Sequence, residues 1–404
     1  MTRLPIPSQG RDSAEAFVSD HLSALVSDVV RGSQRFRGGQ SQAEAILDRF
    51  DVEGYAAGRN EVYPQPRRAS SALSPYIRHG LLSLQRVWDR VEGGPSADVA
   101  KFRNELLWQE YARHWYARLG ARTSSGTRHR LPPPVADHLE WDRRLACLEL
   151  SVGELEDDGW LVNQSRMWLA SHWAVRSGAR WQDGEDYFFR HLLDGSRAAN
   201  RLGWQWTSGV GAAKSYGFSR WQVEERAPGL CASCDLVHAC PIEDWPNEPE
   251  LLPTEQPVDL RSDRLETLRR GPEEPTLVEA PELVWLTAES LGRDDPALAA
   301  HPDLSVVFVF DQPLLARLQL SSKRLVFLVE TLAELAESRE LELHVGQPVE
   351  VLGGRKTAVT FAPVPGFGTR AEQIRPVAVH PWPWLRRPNP GSVLSFSSWL
   401  KAHD

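Results

Sequence analysis

The sequence predicts two packed units of different class: an N-terminal all-helical domain over residues 1–245 and a small C-terminal α/β domain with a mostly parallel sheet over residues 282–404. Three observations carry this reading. Apolar residues recur at three- and four-residue spacing from about Ser13 to Trp221. Residues 246–281 are rich in Pro and Glu and poor in large apolar side chains, the composition of a linker. Beyond them, short β-branched and aromatic runs alternate with an amphipathic helix.

The first unit reads as helices at Phe17–Val30, Leu81–Val91, Phe102–Leu119, Arg166–Val175 and Asp186–Leu193. Pro- and Gly-marked breaks at Tyr63–Pro66, Gly93–Pro95 and Leu131–Pro134 separate them. In the second unit, Leu283–Leu286 and Ser305–Phe310 are apolar runs of strand length, Leu325–Leu335 has helical period, and Leu341–Val345 and Val359–Phe361 continue the alternation. No internal repeat or low-complexity tract interrupts the chain.

With 404 residues, 41 % hydrophobic and 25 % charged, the chain can bury large cores, which excludes a mostly disordered protein. The net charge of −8 argues against a surface that binds polyanions everywhere. Residues 1–245 are nearly neutral, 30 Lys+Arg against 31 Asp+Glu, and almost all of those cations are Arg, which leaves room for a local phosphate-binding face. No run of about 18 apolar residues and no basic-then-apolar leader occurs, so a cytoplasmic protein without a membrane partner is expected. Four cysteines are too few for a disulfide scaffold. Of sixteen tryptophans, twelve precede Pro246.

The most informative run is Asp194-Gly195-Ser196-Arg197-Ala198-Ala199-Asn200, followed by Arg201-Leu202-Gly203-Trp204-Gln205-Trp206. Upstream lie Gly159-Trp160-Leu161-Val162-Asn163-Gln164-Ser165-Arg166-Met167, Asn104-Glu105-Leu106-Leu107-Trp108-Gln109-Glu110, and Ala69-Ser70-Ser71-Ala72-Leu73-Ser74-Pro75-Tyr76. Taken in order, these segments resemble the FAD-binding helical domain of the photolyase/cryptochrome family, over roughly residues 40–225. The resemblance implies a bent FAD whose diphosphate meets Ser70, Ser71, Leu73 and Ser74 at a helix start, with Tyr55 near the same phosphates. It places an Arg166–Asp194 ion pair under the isoalloxazine and Asn200 opposite its N5; such a pair is also ordinary structure without a flavin. Two positions depart from the family: Gln109 stands where Arg is usual, and Ser196 where Asp is usual.

Relatives that split cyclobutane pyrimidine dimers flip the dimer into a pocket of one Glu, two Trp, an Asn and a Met. The matching positions are Glu105, Trp108, Trp206, Asn163 and Met167, all of the required type. Relatives acting on (6-4) photoproducts carry two His where this chain has Asn163 and Met167. The rim departs from the pattern, with Gln164 in place of an Arg and Val162 in place of a His. Trp204 and Trp181 match the inner and middle members of the family's electron-transfer chain. The outer member is not placed, with Trp115 and Trp141 as candidates.

Cys231-x2-Cys234-x5-Cys240-Pro241 resembles the ligation of ferredoxin-like clusters, and Cys147 supplies a distant fourth thiol. A [4Fe-4S] cluster, as in one branch of prokaryotic photolyases, a four-thiolate zinc site and free cysteines all remain open, with His238 a spare ligand. Leu283-Val-Trp-Leu and the later Asp294-Asp295-Pro296-Ala297-Leu298 resemble the start of the family's Rossmann-like α/β domain. That domain comes first in the family and last here, so the chain resembles a circular permutation of it. No residue identifies an antenna chromophore. The resemblance implies light-driven repair of cyclobutane dimers in UV-damaged DNA by a monomer. A cryptochrome-like photoreceptor without repair, and a DNA-binding relic without flavin, are the rival readings.

Overall fold

The apolar runs after residue 282 become the centre of a seven-stranded sheet. The computed structural model describes residues 1–134, 139–263 and 270–403. Its strands are β1 (Thr2–Leu4), β2 (His129–Arg130), β3 (Leu252–Pro253), β4 (Thr276–Leu277), β5 (Leu283–Leu286), β6 (Ser305–Asp311), β7 (Leu341–Gly346), β8 (Thr357–Thr360) and β9 (Ala378–His380). The large sheet runs β1-β7-β6-β5-β8-β9-β4; β2 and β3 form a separate two-stranded ladder. From β7 to β9 the pairing is parallel, with antiparallel strands at both edges. The parallel strands wind outward from β5 in both directions, so the winding reverses between β5 and β8. Every residue of β5 and β8 is buried, as expected of strands covered on both faces.

Helices Gln40–Arg49, Leu84–Arg90, Ser96–Leu119, Ala146–Asp157, Asn163–Ser171, Trp181–His191, Ala199–Ser208 and Arg220–Arg226 make the other unit. Asn163–Ser171 continues into a widened turn, His172–Arg176. One apolar core runs without a break from Phe102, Leu169 and Trp204 into Val284, Val306 and Leu328. The helix Ser322–Leu335 is the bridge: Arg324 donates to the carbonyls of Phe189 (3.2 Å) and Gly195 (2.6 Å). At a second contact His79 is held between the carbonyls of Ala288 and Leu193.

Four expectations need correction. The first residues do not belong to an all-helical unit: β1 pairs with β7, and the helix Arg11–His21 packs on Ser322–Leu335, with Arg11 Nε 2.7 Å from Glu330. The helix expected at Phe17–Val30 therefore starts earlier and ends at His21. Its continuation is drawn away because the Asp28 carboxylate accepts from Ser321 Oγ and Ser322 N, both at 2.7 Å, at the start of the bridging helix. Residues 246–281 do more than link: β3 pairs with β2, β4 pairs with β9, and Asp259 is ion-paired with Arg122. Residues 264–269 of that stretch lie outside the described residues. Finally, residues 386–403 leave the sheet and cover the helix Ser96–Leu119, where Val393 and Trp399 are buried against Tyr111, Trp115 and Leu119.

Candidate functional site

Three helices, Asn163–Ser171, Trp181–His191 and Ala199–Ser208, pack on one another, and the last also meets Ser96–Leu119. This packing joins segments that are far apart in sequence. Arg166 Nη2 lies 2.7 Å from Asp194 Oδ2, and Arg166 Nη1 donates to Asn200 Oδ1 at 3.3 Å. Two atoms of this trio are buried without a partner: Asp194 Oδ1 and Asn200 Nδ2. An acceptor and a donor left bare inside a fold each cost roughly 1–3 kcal/mol, so a water or a polar ligand is expected to meet them.

The loop between Asp194 and Asn200 is tightly held. Glu185, fully buried, is ion-paired with Arg197 and with Arg201 (3.1 Å). Gly195 lies so close to Arg324 and to the carbonyls of Phe189 and Leu192 that a side chain has no space there. Ser196 Oγ accepts from Ala198 N at 3.1 Å and so turns its own loop. Sequence reasoning did not find Glu185 or Arg324.

Ser70 and Ser71 line a cavity of about 340 Å³ with Arg35, Arg49 and Arg68. Ser70 Oγ is buried and unpartnered. The other expected phosphate contacts are engaged locally: Ser71 Oγ accepts from Leu73 N (3.4 Å), and Ser74 Oγ accepts from Trp160 Nε1 (2.9 Å). The helix that Ser74 opens has only five residues, Ser74–Arg78, too short for much of a macrodipole. Positive charge at the cavity comes from the three guanidinium groups. Tyr55 is buried edge-on against Phe102; burial, reinforced by the nearby Glu105 carboxylate, pushes its phenol pKa up. Gln109 is half-buried on the helix Ser96–Leu119.

On the exposed side, Glu105 is held by Lys101 (2.7 Å, one helical turn away) and by Arg59 (3.5 Å). Asn163, exposed at the start of its helix, donates to Met167 Sδ at 3.5 Å. Trp108 and Trp206 are 37 % and 45 % exposed, unusual for indoles. Trp108 stacks on Phe396, with centroids 4.1 Å apart and planes 11° from parallel. Trp206 leans on Tyr216, whose hydroxyl accepts from Gln164 (3.0 Å) and Gln222 (2.7 Å). Thus Gln164 is committed to the protein.

Successive helical residues point about 100° apart. Gln205 fixes that rotation, because its amide bonds Thr123, Ser125 and Thr127 with every group satisfied. Trp204 consequently turns inward, 2 % exposed, while Trp206 turns out. Trp204 packs edge-on against Phe188 and lies directly on Gly184, one turn beyond the buried Trp181. Of the outer candidates, Trp115 is buried in the cluster with Trp399, whereas the half-buried Trp141 lies 5.0 Å from Trp173, whose Nε1 bonds the carbonyl of Arg180, next to Trp181.

All four cysteines are free thiols lining one cavity with Leu145, Val223, Leu230 and Ile242. Burial first, then the neighbouring sulfurs, pushes the Cys147 thiol up to about 12. Among the described residues no three His, Cys, Asp or Glu side chains lie close enough to hold one metal ion. The structure thus brings the four expected thiols to one cavity but does not support the expected metal centre there. His238 does not line the cavity. No helix among the described residues is long and apolar enough to cross a membrane.

Residues 151–226 match the family model for the FAD binding domain of DNA photolyase. Similar curated proteins include the deoxyribodipyrimidine photo-lyase of Vibrio cholerae, 29 % identical over 172 residues, covering 36 % of this chain and 34 % of that protein. The Escherichia coli enzyme of the same name is 31 % identical over 157 residues, 35 % and 31 % of the two chains. That of Thermus thermophilus is 26 % identical over 275 residues, 66 % and 57 %. Among solved structures, a class III photolyase from Agrobacterium tumefaciens aligns with TM-score 0.37 at 23 % identity, over 50 % of this chain and 41 % of that one. A Synechocystis cryptochrome aligns with TM-score 0.42 at 21 % identity, over 48 % and 44 %. The chain thus spans about a third of the length of the first two curated relatives. The family model and the curated relatives support the photolyase/cryptochrome family and an FAD-binding domain.

Proposed function

We propose that this chain binds FAD in its helical unit and repairs cyclobutane pyrimidine dimers in UV-damaged DNA under light. The observation that carries the reading is the set of bare buried polar atoms, Asp194 Oδ1, Asn200 Nδ2 and Ser70 Oγ, on three residues matched independently to flavin contacts. Reduced flavin, when bound and lit, supplies the electron that opens the cyclobutane ring. Arg166, Asp194 and Asn200 would hold the isoalloxazine, with Asn200 offering it an amide N–H. Ser70 and Ser71 would hydrogen-bond the diphosphate, and the surrounding guanidinium groups would neutralise its charge. Trp108 and Trp206 offer flat exposed faces to an extruded dinucleotide. Glu105 accepts from the pyrimidine imide once Lys101 and Arg59 yield it. Asn163 and Met167 close the pocket, and Trp204 and Trp181 carry electrons inward.

Four thiols are the ligand set that either a [4Fe-4S] cluster or a zinc ion takes, and the Cys-x2-Cys-x5-Cys-Pro spacing favours the cluster. Cys147, Cys231, Cys234 and Cys240 would hold it as a structural tie between the helix Ala146–Asp157 and the segment after Arg226. We further propose that the chain is a permuted form of the family, monomeric and cytoplasmic. A light sensor without repair is the second reading, favoured by the commitment of Gln164 to Tyr216 and of Glu105 to two cations.

Blue light on the anaerobically reduced protein, mixed with a dimer-containing oligonucleotide, tests the choice. Recovery of thymine absorbance that needs light, fails on (6-4) lesions and vanishes in Glu105→Ala supports repair. Flavin photoreduction with the lesion untouched supports the sensor.

A further inference from the structure

We propose that Phe396 is a positioning residue for Trp108, and that the C-terminal segment 386–403 is the wall that backs this indole in the lesion pocket. The inference rests on the repair reading and adds to it a segment that lies some 290 positions from the pocket helix. An indole has two faces. Phe396 lies flat on one, and Trp108 remains 37 % exposed in spite of it, which leaves ring surface for a stacked base.

The wall is fixed from the same helix that carries Trp108. Glu110 accepts from Arg386 N at 3.0 Å, and His114 Nε2 contacts the Arg386 carbonyl at 2.8 Å. Tyr111 donates to the Val393 carbonyl at 3.0 Å, and Arg118 donates to the carbonyls of Gly391 and Asn389. Trp399 Nε1 donates to His114 Nδ1 at 2.8 Å, which sets the imidazole as neutral with its proton on Nε2. Phe396 is thereby anchored beside Tyr111 and Trp399, 5.9 and 5.8 Å away. An indole ordered in advance loses less freedom when a base stacks on it, so the wall contributes to affinity without touching the lesion.

The test uses the full chain with FAD bound and reduced, and an oligonucleotide carrying one thymine dimer. Phe396→Leu keeps apolar volume but not the flat face. It should raise Kd about three- to tenfold, the contribution of one stacked pair, and leave repair per absorbed photon at saturating DNA unchanged. Phe396→Tyr should restore binding, and in a Trp108→Ala background Phe396→Leu should add nothing. Tighter binding by Phe396→Leu would show that the ring occupies the lesion's place, and unchanged Kd would show that it does nothing; either overturns the proposal, as does an equal loss in the Trp108→Ala background. If the unaltered chain fails to bind the dimer, the repair reading falls as well.

Discussion

Replacing Gly195 by alanine isolates the contact that fixes Asp194 and Asn200. A Cβ there would lie 2.6 Å from Arg324 Nη1, 2.8 Å from the Phe189 carbonyl oxygen and 2.9 Å from that of Leu192. All three are closer than real Cβ contacts, and two are backbone. Gly195 is not among the glycines with positive φ, so alanine adds no dihedral strain and the effect is one of space alone. Forcing a methyl into a packed site costs typically about 1–3 kcal/mol. If the loop yields, Asp194 and Asn200 move, and FAD affinity falls by up to the equivalent factor of roughly 5–150. If the loop holds, the same energy appears as lost stability. Gly203→Ala is the control. It lies exposed inside the helix Ala199–Ser208 with nothing within 4 Å, so alanine should stabilise by up to about 1 kcal/mol. Flavin fluorescence titration and urea unfolding on both variants decide the matter. Gly195→Ala with wild-type FAD affinity and wild-type unfolding would refute the claim that Arg324 and its neighbours hold the loop.

Three further outcomes follow from the same geometry. Trp204→Phe should slow photoreduction of oxidised flavin strongly while leaving dimer binding intact, as read by flash absorbance and anisotropy; unslowed photoreduction would remove Trp204 from the path. If the thiols hold the proposed cluster, Cys147→Ser should lower bound iron and the broad cluster absorbance together; unchanged iron would exclude this thiol as a ligand. Stability should fall as pH drops from 6.5 toward 4, because burial lowers both His172 and His191 to about 4, so the unfolded chain takes up protons that the fold refuses. His172→Gln should flatten that slope in pH-dependent urea unfolding, and an unchanged slope would mean His172 is charged in the fold.

What was legible in the sequence was local. β5 and β6 announce themselves because strands buried on both faces need continuous apolar runs. Trp204 and Trp206 are readable as neighbours on a helix that face opposite ways, one buried and one exposed. β1 was not, since three residues with one buried side chain owe their conformation to β7, some 340 positions away. The C-terminal helix was missed for the same reason: nothing in Phe396-Ser-Ser-Trp399 names Trp108 and His114 as partners. Asp259 and Leu260 passed for linker because one buried carboxylate and one leucine leave no periodic signal. The Lys101–Glu105 pair, by contrast, sits at a spacing that the sequence displays openly and that the reading overlooked.

The two ends of the described chain are exchanged between units: β1 completes the sheet made of late residues, and Val393 to Trp399 complete a helix made of early ones. On a ribosome this sets an order. While residues 1–245 emerge, the flank of Ser96–Leu119 that Trp399 will cover is bare, and β1 waits without a neighbour until β7 is made. The helix Ser96–Leu119 is covered only once Val393 to Trp399 are made, and β1 is paired only once β7 is made. Halves cut within residues 246–281 should therefore be poor folders apart, yet able to find each other when expressed together.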